Sequence, residues 1–142
     1  MCIRDSLLAL EPQGREQAAA IWEEAVRQRR VSDRLLLIPF LLGDDDSLLA
    51  AIDVRTANRH RSKVDRYLVG DLPDAELLGR ANSTSLHLFI AMKALRDSQR
   101  EKAMRELELI EDIRFRLPFT WRDVFAAGIL SEMRRRPDWP KL

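Results

Sequence analysis

The chain has 142 residues and a formal net charge of +1, from 24 lysine and arginine residues against 23 aspartate and glutamate residues. This balance excludes a general electrostatic attraction to nucleic acid or to acidic membranes. The length is that of one domain with a real core, and five glycines and six prolines are few enough to favour helix.

The first six residues fit no element of secondary structure and resemble translated adaptor sequence. We therefore expect residues 1–6 to be a non-native leader and residues 7–142 to form a single all-helical domain, which would then be the C-terminal part of a larger protein. The single cysteine, Cys2, excludes an internal disulfide and fits a reducing compartment. The longest strongly apolar run, residues 35–42, is far shorter than the roughly 20 residues of a membrane span. We expect a cytoplasmic protein without a membrane partner.

The first half of the chain predicts a series of short helices separated by glycine, proline and polar turns. The pattern predicts helices over residues 13–30, 34–42, 47–57 and 74–81, with another ending at Tyr67, Leu68 and Val69 before Gly70. Pro39 should kink or shorten the second of these, because its ring removes a backbone donor. A short buried strand is the competing interpretation of that run.

Residues 84–115 predict two consecutive helices around which the rest of the chain is organised. The first contains six large apolar residues in ten positions: Leu86, Leu88, Phe89, Ile90, Met92 and Leu95. A helix this apolar is usually covered on several sides. The second, from residue 99 to 116, is amphipathic, with Ala103, Leu107 and Ile110 at helical spacing, and we expect Pro118 to end it. The prediction is a buried helix followed by its cover.

A last amphipathic helix is expected over residues 121–136, with Thr120 as its N-cap. Val124, Phe125, Ile129, Leu130 and Met133 give this helix an apolar side. Pro137 and Pro140 should prevent it from continuing. We expect the tail after it to leave Trp139 partly exposed.

Three helices carry a small residue, a large residue four positions later and a third residue three positions after that. These triplets are Ala18–Trp22–Ala25, Ala50–Val54–Ala57 and Ala103–Leu107–Ile110. The spacing resembles the second helix of the tetratricopeptide repeat, whose period is about 34 residues. The resemblance implies an all-α solenoid of stacked antiparallel helical hairpins. Ala18 and Ala50 are 32 positions apart but Ala50 and Ala103 are 53 apart, so an irregular helical bundle is the alternative.

No catalytic or metal-binding constellation is evident in the sequence. The only histidines are His60 and His87, and neither has a carboxylate or a second histidine one helical turn away. We interpret His87 as a packed or hydrogen-bonded core residue, and residues 44–46 as a solvated acidic helix start. We therefore expect neither a cofactor nor a metal, and no enzymatic activity within these residues.

One basic segment, residues 55–66, is the candidate interaction surface. Its cationic residues are Arg55, Arg59, Arg61, Lys63 and Arg66. We expect a non-enzymatic protein–protein interaction or scaffold module of helical-repeat type, in which this segment favours an acidic protein or peptide partner. Two alternatives stay open. One is a small nucleic-acid-binding domain that uses the same segment, and the other is a helical appendage of an enzyme whose catalytic domain lies upstream.

Overall fold

A computed structural model describes residues 8–57, 59–80, 83–114 and 120–142. All regular elements in these ranges are helical, which confirms the all-α prediction. Two 3₁₀ turns, Leu8–Leu10 and Pro12–Gly14, precede the helices α1 (Arg15–Arg27), α2 (Asp33–Leu42), α3 (Asp45–Thr56), α4 (Lys63–Leu68), α5 (Asp74–Leu78), α6 (Thr84–Arg96), α7 (Arg100–Arg114) and α8 (Trp121–Arg135). The predicted leader, with Cys2, and the predicted helix end at Pro118 lie outside the described residues. None of the helices within them is long and apolar enough to cross a membrane.

The first three helices form an antiparallel layer with α2 in the middle. Arg15, at the start of α1, donates from Nη2 to the carbonyl oxygen of Leu42, at the end of α2, over 3.0 Å. Arg55, in the last turn of α3, forms an ion pair with Asp33, which begins α2. Since α1 and α3 both run against α2, they are parallel to each other.

Helix α2 is buried along nearly its whole length, from Leu35 to Leu41. The helix continues through Pro39, so the interpretation of this run as a buried strand is wrong. Gly43 ends it with a φ of +75°, a left-handed conformation that a residue without Cβ adopts at little cost. The predicted stop at this glycine is confirmed.

Helix α6 is the centre of the fold, as its composition predicts. It packs against α2, α4, α5, α7 and α8. Its large apolar side chains are almost completely buried except for the partly buried Leu86, and Ala91, Ala94 and His87 on its narrower side are buried as well. Helix α7 covers α6 through Ala103 and Leu107, while most of its charged residues face solvent. The interpretation of a buried helix followed by its cover is confirmed.

Three details differ from the prediction, and the first is that α1 spans Arg15–Arg27 rather than residues 13–30. Helix α5 ends at Leu78 rather than near residue 81, because Gly79 leaves the helix with a φ of +53°. Trp139 is buried, with 6% of its surface exposed, although partial exposure was expected. The tail folds back because Arg100 Nε donates to the Trp139 carbonyl oxygen over 3.3 Å and the Arg136 guanidinium lies 5.0 Å from the indole centroid.

The three triplets at this spacing have different environments. Ala18, Trp22 and Ala25 on α1 are buried, and so are the three members on α7. Ala50 and Val54 on α3 and Ala57 at its C-cap are exposed. The reason is that Leu48 and Ile52 define the inward face of α3, and a residue two positions from Ile52 lies on the other side of the helix.

Candidate interaction groove between α1 and α3

An apolar groove of about 670 Å³ lies between α1 and α3. Its walls carry six apolar side chains: Trp22, Val26, Val31, Ala50, Ala51 and Val54. Val54 is 78% exposed and Val26 is 45% exposed, whereas most large apolar residues of the described chain are buried. Trp22 also lines the groove, although only 6% of its surface is exposed. The groove therefore offers two projecting valines above a surface of alanines and indole.

The groove exists because both helices that border it are packed on the same neighbour. Helices α1 and α3 each contact α2, which leaves their outer sides free to form two parallel walls. Helix α3 is apolar on several sides, since Leu48 and Ile52 point inward while Leu49 and Val54 point outward. A helix that is apolar all round is usually covered by more than one neighbour. Among the described residues, only the side of α3 that carries Leu48 and Ile52 is covered by a neighbouring helix.

The polar residues that line the groove are two arginines and a serine: Arg29, Arg55 and Ser47. The Arg55 guanidinium is held by ion pairs with Asp33 and with the buried Asp65. Burial by itself lowers the pKa of Arg55, but its two carboxylate partners together hold that pKa above its ordinary value. Arg29 is exposed and forms no ion pair with any residue that the structure describes.

Acidic residues lie at the start of α3, beside Ser47, but do not line the groove. Ser47 belongs to the first turn of α3, where Asp44 caps the helix by accepting from the Ser47 amide over 3.1 Å and from its hydroxyl over 2.7 Å. These hydrogen bonds lower the pKa of the exposed Asp44 carboxyl. Asp46 is exposed in the same turn. The charged side chains that line the groove are therefore both cationic, Arg29 and Arg55.

The structure separates the five cations of the basic segment. Arg55 is half-buried in its ion pairs. Arg61 pairs with Asp53 over 2.7 Å and with Asp71 over 3.8 Å. Lys63 is exposed and donates from Nζ to the carbonyl oxygen of Glu76 over 3.3 Å. Arg59 and Arg66 are exposed, without an ion pair among the described residues. The segment as one binding surface stays a prediction, and two of its members already neutralise carboxylates of the chain.

A second cavity, of about 480 Å³, has a mixed lining that includes Phe40, Tyr67 and Leu68. Its cations are engaged by the fold. Arg96 pairs with Asp45 over 2.7 Å and lies 4.7 Å from the Phe40 ring centroid, and Lys93 lies 5.0 Å from the Tyr67 ring centroid. These contacts join α2, α3, α4 and α6 around the cavity.

Buried polar side chains hold α4, α5, α6 and α7 together. The Tyr67 hydroxyl donates to Asp74 over 2.7 Å, and Lys102 Nζ lies 2.5 Å from the other oxygen of that carboxylate. Burial, followed by the Asp74 contact, raises the pKa of Tyr67 well above its usual range. His87 Nδ1 lies 2.5 Å from Glu106 Oε2, so the interpretation of His87 as a hydrogen-bonded core residue is confirmed. Among the described residues, no group of three or more His, Cys, Asp or Glu side chains is placed to hold a metal ion.

Sequence reasoning did not identify the groove. The signal was present in α3, whose residues 48–54 are apolar on more sides than one neighbour can cover. The repeat-like spacing of Ala50, Val54 and Ala57 does not indicate which side of α3 is covered. In comparisons with known proteins, no family model, curated protein or solved structure matches this chain.

Proposed function

We propose that the protein is an interaction module whose α1–α3 groove binds an amphipathic helix that carries acidic residues. The single observation that carries this proposal is the 78% exposure of Val54 on an apolar wall lined by arginines and by no carboxylate. Helix-in-groove binding uses apolar anchors one or two turns apart, which two projecting valines on opposite walls can match. The acidic character of the partner follows from Arg29.

The size of the groove favours a transient complex. Covering the exposed parts of Val54 and Val26 would contribute on the order of 2 kcal/mol of apolar burial, with smaller additions from the alanines. This gain alone is smaller than the loss of translational and rotational freedom on binding, so the apolar side chains of the guest must supply the larger part of the binding free energy. We therefore expect micromolar rather than nanomolar affinity for a single helix, as in small signalling interfaces.

We also propose that α1, α2 and α3 stack as tetratricopeptide-like repeats do, with an irregular bundle after them. The antiparallel order of these helices and the burial of the first triplet, Ala18, Trp22 and Ala25, support this part of the proposal. Helix α6 contacts α2 as well as its chain neighbours, whereas each unit of a solenoid contacts only the next unit. A bound helix would extend the α1–α3 layer as an additional member.

A designed peptide tests the proposed function. The peptide is a roughly 12-residue amphipathic helix with leucines at i, i+3 and i+7 and with glutamates in its first turn. We expect it to bind the intact protein in calorimetry, and Val54→Lys to weaken binding at least tenfold. Leu49→Lys is the matched control, because Leu49 is 40% exposed on the other side of the same helix. Equal affinities of wild type and Val54→Lys would refute the assignment of the groove.

The nucleic-acid alternative is supported by the exposure of Arg59, Lys63 and Arg66. Substitution of Arg59 and Arg66 by glutamate leaves the groove intact, so it separates the two functions. Retention on heparin that is steeply salt-dependent and lost in this variant would support nucleic-acid binding. Peptide binding that survives the same substitutions would support the groove. The role of an appendage to an upstream enzyme stays a prediction, and the groove would serve that role equally well.

A further inference from the structure

We infer that the second cavity, between α2, α3, α4 and α6, binds a free α-amino acid with an apolar side chain. In this arrangement the carboxylate of the ligand meets Lys93 and its ammonium meets Asp97. The side chain of the ligand lies against Phe40, Leu48 and Leu68. The inference goes beyond the proposed function, because the cavity and the α1–α3 groove have no lining residue in common.

The size and the apolar base of the cavity are the first observation. Its volume of about 480 Å³ falls within the range of small-ligand sites. Phe40, Leu48 and Leu68 line it and are each at most 3% exposed, so they belong to the core of the protein. An apolar side chain placed on this base leaves water, which stabilises the bound state. The base therefore favours a ligand that has an apolar body.

The charges that line the cavity are the second observation. They consist of three cations and three carboxylates, so the lining as a whole is neutral. Two of the cations face carboxylates within the cavity: Arg96 pairs with Asp45 over 2.7 Å, and Arg61 lies 3.8 Å from Asp71. These four side chains are balanced by the fold. One cation and one carboxylate of the lining are left for a ligand.

The remaining cation and carboxylate are Lys93 and Asp97, which lie one helical turn apart. The Asp97 amide donates to the Lys93 carbonyl oxygen over 2.9 Å, which fixes the spacing of the two residues. Their side chains form no ion pair with each other, and neither forms an ion pair or a hydrogen bond with another residue that the structure describes. A ligand that pairs with both carries one charge of each sign. An amino acid has this pattern at pH 7, where its carboxyl and amino groups are both ionised.

Tyr67 holds the two free charges at the cavity. The Lys93 ammonium lies 5.0 Å from the Tyr67 ring centroid, a cation–π contact that positions the cation but leaves its three N–H donors without an acceptor. Burial and the Asp74 contact raise the pKa of Tyr67, and the charge of Asp97 raises it further, which requires the Asp97 carboxylate to be near the same phenol. Lys93 and Asp97 therefore face a common space.

The geometry of an amino acid suits that space. Its carboxylate and its ammonium are attached to one carbon, and a charge-assisted hydrogen bond of about 2.8 Å on each side lets them bridge two side chains that do not reach each other. A simple carboxylate would leave Asp97 unpaired beside an anion. A simple amine would leave Lys93 unpaired beside a cation. The two free charges thus select a zwitterion over either singly charged ligand.

Three small molecules of similar shape test the inference on the intact protein. L-leucine carries both charges, isocaproate lacks its ammonium, and isoamylamine lacks its carboxylate. In titrations followed by amide resonances, we expect leucine to bind with millimolar affinity or better. We expect each analogue to bind roughly tenfold more weakly, because one charge of the cavity stays unpaired. Glycine, which keeps both charges but has no apolar side chain, should also bind more weakly than leucine.

Two variants assign the charges of the ligand to their partners. Lys93→Met keeps the length of the side chain and removes its charge, so leucine should lose its advantage over isoamylamine. Asp97→Asn should remove the advantage of leucine over isocaproate. Lys141→Met is the matched control, because it removes a cation that pairs with Asp138 outside the cavity, and it should bind leucine like the wild type.

The outcomes keep this inference separate from the proposed function. Leucine that fails to bind at millimolar concentration, or that binds no more tightly than its two analogues, would overturn the inference. Leucine affinity that is unchanged in both Lys93→Met and Asp97→Asn would also overturn it, since the ligand would then lie elsewhere. Val54→Lys, which disables the groove, should bind leucine with wild-type affinity. The bound amino acid should shift the amide resonances of Leu68 and Asp97 and leave that of Val26 unchanged.

Discussion

Arg55 on α3 forms an ion pair with Asp65 on α4, and this carboxylate is only 1% exposed. The same guanidinium pairs with Asp33 at the start of α2. One residue of the groove wall therefore connects three helices. Asp65 is also part of the N-cap of α4, because its amide donates to Ser62 Oγ over 3.1 Å. The basic segment thus begins with a structural arginine rather than with a free binding residue.

The first prediction concerns the contribution of the Arg55–Asp65 ion pair to stability. Removal of one partner of a buried ion pair leaves the other uncompensated, although Arg55 retains Asp33 and some solvent. We expect Asp65→Ala to lower the free energy of unfolding by about 2–3 kcal/mol in urea titrations. Asp53→Ala is the control, since its pair with Arg61 is largely exposed and is worth less than about 1 kcal/mol. Equal effects of the two substitutions would contradict the role given to Asp65.

The second prediction concerns the contribution of the central helices, α6 and α7, to stability. Phe89 on α6 and Leu107 on α7 are each 1% exposed. Truncation of either to alanine removes apolar contacts and leaves a cavity, so we expect each variant to lose roughly 2–5 kcal/mol of stability. Chemical denaturation measures the loss directly. Wild-type stability in both variants would mean that α6 and α7 are not the core.

The pH dependence of stability provides a third prediction through Asp74. Burial raises the pKa of this carboxyl, but hydrogen bonds from Lys102 and Tyr67 and nearby positive charges outweigh it and lower the pKa below its ordinary value. The folded state therefore binds the proton less readily than the unfolded chain. The stabilisation is complete above the unfolded pKa, near 4, and is lost as the pH falls through the lower folded value.

The measurement for Asp74 is a comparison of wild type and Asp74→Asn over the acid range. We expect the wild type to be more stable at pH 7 and the difference to shrink steadily below about pH 4. Other carboxylates titrate in the same range, so the difference between the two proteins is the quantity to follow. A difference that does not change with pH would show that the charge of Asp74 contributes nothing.

Trp139 gives a fourth prediction, because its ring is buried while its indole nitrogen Nε1 has no hydrogen-bond partner among the described residues. Trp139→Phe removes that donor and keeps an aromatic ring, so it should cost little, on the order of 1 kcal/mol. Trp139→Ala removes the packing as well and should cost about 3–5 kcal/mol. Similar stabilities of the two variants would contradict the buried position of the ring.

The helices were predictable from sequence because their signals are local. Each of these signals can be recognised within one or two helical turns. Examples are Gly43, the apolar run of α6, and the triplet of Ala103, Leu107 and Ile110. The burial of Trp139 was not predictable, since it depends on Arg100, which is distant in sequence. The groove was missed for a related reason. Whether Val54 faces a neighbour or solvent depends on which helices pack on α3, and no local pattern contains that information.

The basic segment, residues 55–66, is a second feature that the sequence alone could not describe fully. The sequence places five cations within residues 55–66, but the partners of two of them are fixed by tertiary structure. Arg55 meets a carboxylate from α2, and Arg61 meets Asp53 and Asp71 from either side of the segment in sequence. A count of charges therefore overstated the free positive surface.

The central claim is that the α1–α3 groove is the binding surface, and mapping of amide and indole resonances tests it most directly. On titration of the protein with the designed amphipathic peptide, we predict shifts that cluster at Trp22, Val26, Arg29 and Val54. The indole resonance of Trp22 should move with the backbone signals, because Trp22 lines the groove. Shifts confined to Arg59 and Arg66, with the groove unchanged, would contradict the account and support the basic segment instead.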